Sequence, residues 1–135
     1  MIYFDTDVLI NLLIPQDSAK HKLAKNLYQD STEREQFFIS LLCLQETAFV
    51  LQRLGQHPDD IEAMLAAFLN FQPVPYSIME MERAIYLAKR IGFQNINDCL
   101  HTAIAETHCS KLLTFNKADF KRIGNLANIE ITLLQ

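Results

Sequence analysis

Short apolar runs alternate along this chain with longer stretches in which apolar residues recur every three to four positions, and that alternation admits few folds. "MIYF" at 1–4 reads as a buried strand, and a helix follows it through Leu13, where Pro15 stops it. A second helix is expected over 18–29, a strand over "FFISLL" at 37–42, and a helix over "LQETAFVLQRL" at 44–54. "DDIEAMLAAFLNF" at 59–71 carries Asp59 and Asp60 in a first turn, with Ile61, Met64, Leu65 and Phe68 at helical spacing. "QPVPY" at 72–76 is flanked by prolines, which confines any strand there to a sheet edge. Ser77 caps a helix that runs to Ile91 and stops at Gly92, and Asn95 or Asn97 caps the next, "DCLHTAIAETH". A strand at 111–115, a short helix at 117–122 and a strand at 129–134 complete the pattern. Strands separated by helices imply an α/β fold: a three-layer α/β/α sandwich around a mostly parallel sheet of four to five strands.

Composition bounds what such a fold can do. Of 135 residues half are apolar, with only three Gly and four Pro, so a single domain over 1–135 with one core is expected. The 12 Lys and Arg are outnumbered by 16 Asp and Glu, a balance that argues against a broad basic face for gripping duplex DNA. Any nucleic acid must be met locally. Cys43, Cys99 and Cys109 are an odd number at irregular spacing, which argues for reduced thiols and a cytoplasmic setting. No run approaches the roughly 20 apolar residues of a membrane span, so no membrane partner is expected.

In folds of this class, ligands bind beyond the carboxyl ends of the strands. Asp5 and Asp7 follow the first strand, and Asn116 and Asp119 follow "KLLTF". Glu46 falls within the first turn or so of the helix after the second strand, and Asp98 opens a helix whose apolar stripe is Leu100, Ala103, Ile104 and Thr107. Singly, each acid has a plainer role. Asp7 and Asp98 would favour a helix N-terminus, Asp119 would be an N-cap or first-turn acid, and Glu46 would be a surface glutamate. Together, four junctions offering acids describe a negative pocket that a hard divalent cation would neutralise. Cys99, His101, His108 and Cys109 lack the spacing of a zinc site. One turn from Asp98, His101 is either a group supporting the acids or a helix surface residue.

Four stretches, "YFDTDVLI", "LQETAFVL", "NINDCLHTAIA" and "LLTFNKADF", resemble in order and spacing the PIN-domain family, most closely the ribonuclease toxins of VapBC-type toxin–antitoxin modules. That resemblance implies strand order 3-2-1-4-5 and a metal-dependent endoribonuclease using Mg2+ or Mn2+, with Asp5, Glu46 and Asp98 as catalytic metal ligands. The position of the family's fourth acid, two residues after Thr114, is Asn116 here, so Asp119 is the nearest candidate for that role. Asp7, where relatives often carry Asn, then supplies charge that Asn116 does not, with Thr114 and Asn116 in support. Two divalent ions would cancel the formal charge of −4. An RNA substrate, an antitoxin partner and a homodimer are the expected associations. Lys117, Lys121 and Arg122, interleaved with Phe115 and Phe120, could hold a phosphate backbone and stack a base, or form a solvated helix face. Ile61, Met64, Leu65 and Phe68 offer an apolar surface for the antitoxin.

Two alternatives carry weight. A PIN-like scaffold that has lost its metal through Asn116 would bind RNA or protein without cutting. "DTDVLI" also resembles the nucleophile motif of haloacid-dehalogenase phosphatases, but Leu9 stands where those need Thr or Val, and the paired acids Asp59 and Asp60 open a helix.

Overall fold

A computed structural model describes all 135 residues. Four short strands form one parallel sheet: β1 (Ile2–Phe4), β2 (Phe37–Phe38), β3 (Lys111–Thr114) and β4 (Glu130–Leu133), in the order β2-β1-β3-β4. Seven helices connect them: α1 (Thr6–Leu13), α2 (Ser18–Glu33), α3 (Leu41–Arg53), α4 (Pro58–Leu69), α5 (Ile78–Ile91), α6 (Ile96–His108) and α7 (Lys117–Gly124). α1 packs on α2 and α3, and α3 on α4, while α5, α6 and α7 pack on one another. The result is the three-layer α/β/α sandwich.

The expected fifth strand at 72–76 is reduced to one residue. Val74 bridges Ser40 in parallel, giving its N–H to Ile39 O at 3.1 Å and accepting from Leu41 N at 2.9 Å. Pro73 and Pro75 on either side have no N–H to extend the ladder. With that bridge counted as the third strand, the order is 3-2-1-4-5.

Corrections fall at boundaries. β2 ends at Phe38, and residues 41–42, expected as strand, already belong to α3. Ser40 is the reason, because its hydroxyl accepts the Cys43 N–H at 3.1 Å and starts the helix three residues early. Glu46 therefore sits in the second turn, not the first. α2 runs on to Glu33, past the expected end at 29. Ser77 forms a full capping box with Glu80, and Gly92 ends α5 at φ 128°, a backbone angle that favours glycine. A 3-10 turn over Phe93–Asn95 precedes α6, and Asn95 stands before that helix without a side-chain cap bond.

The core lies on both faces of β1 and β3. Tyr3, Phe4, Leu112 and Leu113 are buried against Val8, Leu9, Leu87, Leu100 and Ile104. Each such side chain removed from water contributes roughly 1.5–3 kcal/mol. No helix is long and apolar enough to cross a membrane.

Candidate active site

All four strands are parallel, so their carboxyl ends open on one edge, and the strand-to-helix junctions gather there. Asp5 ends β1 and caps α1, its Oδ1 accepting from Thr6 N at 2.9 Å. Its Oδ2 accepts the Thr114 hydroxyl at 2.8 Å, from the end of β3. Asp7 accepts the Phe115 N–H with both oxygens at 3.2 Å and the Thr114 hydroxyl at 3.4 Å. Thr114 is itself fully buried and accepts the Asn116 N–H at 3.0 Å. The two aspartates thus tie the first junction to the one after β3.

Two helices bring the other acids. Glu46, from α3, accepts at Oε1 from Thr6 Oγ1 at 2.7 Å and pairs there with His101 Nε2 at 2.6 Å. Asp98 lies in the first turn of α6. A cavity of about 280 Å³ is lined by Asp5, Thr6, Asp7, Ile10, Asn11, Glu46, Val50, Asp98 and Asn116. Asp119 does not line it. Asn116 caps α7 and holds Asp119 behind it, giving Nδ2–H to Asp119 Oδ2 at 3.0 Å and accepting Asp119 N–H at 3.3 Å. Arg122 reaches the other oxygen of Asp119 at 3.4 Å and donates to Ile91 O at 3.1 Å. Lys117 donates to Gln135 at 3.2 Å, Lys121 is exposed, and Phe120 is 1% exposed, so Phe120 offers no face to a base.

No Lys or Arg lies at ion-pair distance from Asp5, Asp7, Glu46 or Asp98. Burial and the neighbouring Asp5 charge push Asp98 up to about 7. Burial likewise pushes Asp5 to about 6 against the pull of His101, and raises Asp7 in spite of the Phe115 N–H. Glu46 goes the other way: burial would raise it, but the hydrogen bonds and charge of His101 and the bond from Thr6 hold it below the ordinary value. For His101, burial disfavours the charged ring, yet Cys43, Glu46 and Asp5 outweigh it and raise its pKa well above the usual value.

An oxygen-only donor set with unbalanced negative charge has the chemistry of a site for a hard cation such as Mg2+ or Mn2+. No three His, Cys, Asp or Glu side chains stand as a ready-made metal site, and Asp5 already has both oxygens engaged by protein donors. Nor do the two cysteines and two histidines of α6 and its end form a set. His101 points into the acidic site, while His108 stacks on Phe38 at 5.2 Å and lies 3.5 Å from Glu80.

Behind Glu46 lies a network that reading the chain does not find. His101 is fully buried, with Nδ1 2.6 Å from the Tyr3 hydroxyl, which is 2.8 Å from Ser40 Oγ. The available signal is the spacing of Asp98 and His101, three residues apart on one helix face.

The model of the PIN domain family matches residues 2–126. No curated protein matches the chain. Among solved structures, the crystal structure of VapBC2 from Rickettsia felis, bound to a DNA fragment from their promoter, is similar in fold. Its TM-score is 0.70 at 18% identity, with 100% of each chain covered. A family match over nearly the whole chain removes the haloacid-dehalogenase reading, and Asp59 and Asp60 lie in the first turn of α4, outside the acidic cavity. Parallel sheet, acid-lined strand edge and family match agree: the chain belongs to the PIN domain family.

Proposed function

We propose that this chain is a metal-dependent endoribonuclease and the toxin of a toxin–antitoxin pair acting in the cytoplasm. The observation that supports it most is the cavity in which Asp5 and Asp7 from the β1–α1 junction, Glu46 from α3, Asp98 from α6 and Asn116 from the β3–α7 junction meet. Asp5, Glu46 and Asp98 would hold Mg2+ or Mn2+, with Asp7 and Asn116 beside them and Asp119 acting through Asn116. A bound divalent ion supplies a water of lowered pKa and absorbs charge on the phosphoryl oxygens. The chain's own part is orientation. Thr6 and Thr114 fix both oxygens of Asp5, and Lys117 and Lys121 lie on the helix beyond Asn116, where they would meet the RNA backbone.

The antitoxin is proposed to cover an apolar groove of about 630 Å³ lined by Leu12, Leu13, Tyr28, Met64, Ala67 and Phe68 among others. The motifs resemble the toxins of VapBC-type toxin–antitoxin modules, and the fold is similar to that of VapBC2 bound to a DNA fragment from their promoter, which favours such a partner here. The assembly expected in solution is a homodimer of the chain, to be read by light scattering.

Purified protein should cleave RNA in Mg2+ or Mn2+ and not in EDTA, and Asp5→Asn should lose most of that activity. Full activity in EDTA would overturn the reading. Asn116, where the family's fourth acid is expected, favours a second reading, a binding scaffold that does not cut, and Mn2+ titration separates the two.

A further inference from the structure

Glu46 is held by its neighbours more firmly than a carboxylate on an open helix face could be. Its Oε1 meets Thr6 Oγ1 at 2.7 Å and His101 Nε2 at 2.6 Å, while Oε2 is engaged by neither. A carboxylate oxygen can only accept, so His101 keeps its Nε2 hydrogen whichever side carries the proton of its Nδ1 bond. The other ring nitrogen lies 2.6 Å from Tyr3 Oη, and Tyr3 is gripped in turn by Ser40 Oγ at 2.8 Å. Ser40 takes the Cys43 N–H at 3.1 Å, so the line ends on the backbone at the start of the helix that carries Glu46. Tyr3, Ser40, Cys43 and His101 are all fully buried. Four side chains, from β1, α1, the β2–α3 junction and α6, therefore bear on one carboxylate oxygen.

We propose that His101 and Tyr3 are positioning residues of the acidic site. Tyr3 fixes the ring of His101, and His101 with Thr6 fixes Oε1 of Glu46, so that Oε2 is the oxygen presented to the cavity. Neither positioning residue touches substrate. The proposal rests on the metallonuclease reading and adds to it which oxygen of Glu46 binds, and why a histidine and a tyrosine stand in the core at these positions.

Mn2+ titration calorimetry on the parent, His101→Asn, His101→Gln and Tyr3→Phe tests this, with melts of each in EDTA. Losing the donor in His101→Asn should weaken Mn2+ binding about 10- to 100-fold. A glutamine amide reaches to roughly where the imidazole Nε2 stands, so His101→Gln should restore affinity to within about threefold of the parent. Tyr3→Phe, which removes one oxygen far from the ion, should weaken it about two- to tenfold, the value of one hydrogen bond. Parent affinity in His101→Asn, or equal losses in His101→Asn and His101→Gln, would overturn the proposal. If His101→Asn fails to fold in the EDTA melt, Tyr3→Phe decides: weakened binding supports it and parent affinity overturns it. A parent that binds no Mn2+ would overturn the functional reading and the proposal together, an outcome distinct from variants that match a binding parent.

Discussion

At the scale of single residues the site separates carboxylates by environment. Asp98 and Asp5 are pushed to about 7 and about 6, while Glu46 is lowered by its donors. Between the ordinary aspartate value and these raised ones, the folded protein holds more protons than the unfolded chain. Stability in EDTA therefore falls as pH rises across that interval. Glu46 works in the opposite sense, but its contribution is lost only in acid, below this window. Thermal melts in EDTA should show a melting temperature that drops between about pH 5 and pH 7.5, with a flatter profile for Asp98→Asn. At neutral pH that variant should be more stable than the parent by on the order of 1–3 kcal/mol, since one pKa unit is worth about 1.4 kcal/mol. An acid serving only a helix terminus predicts the reverse, a loss of about 0.3–1 kcal/mol on neutralisation. In Mn2+ the order inverts: Asp98→Asn should cleave RNA at least about tenfold more slowly, read by turnover at saturating substrate. That Asp5, Glu46 and Asp98 would meet was legible in stretches that resemble one family in register, with Asp5 and Glu46 following strand-like runs and Asp98 opening a helix. Tyr3 was not, because a tyrosine in a buried strand looks unremarkable until 98 positions of chain are folded away between it and His101, whose own role, supporting the acids or facing solvent, the sequence left open. Asn116 and Asp119 share one turn in sequence, and only the capping geometry decides which of them reaches the cavity.

Among the elements, the helices with marked ends were the easiest to read. Ser77 accepts the Glu80 N–H at 3.1 Å while Glu80 accepts the Ser77 N–H at 2.8 Å, a reciprocal cap visible as Ser followed three positions later by Glu. Ser77→Ala should cost about 1 kcal/mol in a denaturant titration and leave cleavage unchanged, because α5 contributes nothing to the acidic cavity. The run "FFISLL" was harder. Six residues with five apolar side chains carry no period, so the switch from strand to helix is hidden in them and depends on one hydroxyl. "QPVPY" was legible as an edge but not in its extent, since its two prolines leave a single N–H for the ladder.

For the molecule as a whole, the proposed metal and the proposed partner would each add to what its own packing supplies. If Mn2+ binds only the folded state, a concentration about 100 times its dissociation constant adds about 2.7 kcal/mol. For a chain of this size that is on the order of 10 °C in melting temperature, with a much smaller gain in Asp98→Asn. The groove against α4 gives the matching test for the antitoxin. Ala67 is exposed within it, so Ala67→Glu should fold and cleave as the parent does, yet fail to co-purify with the proposed antitoxin. Retained co-purification would place the partner elsewhere. The position of β1 between β2 and β3 has one more result, and it concerns synthesis. β1 leaves the ribosome before the strands that flank it, but one neighbour ends at Thr114, and the Thr114–Asp5 hydrogen bond spans 109 positions. So late a contact makes folding a whole-chain event. Until β3 has been translated, Asp5 has no Thr114, Asp7 has no Phe115 N–H, and the acidic cavity has no far wall. On the proposed function, a chain still being translated holds no assembled acidic site with which to cut the message that encodes it, through strand order alone.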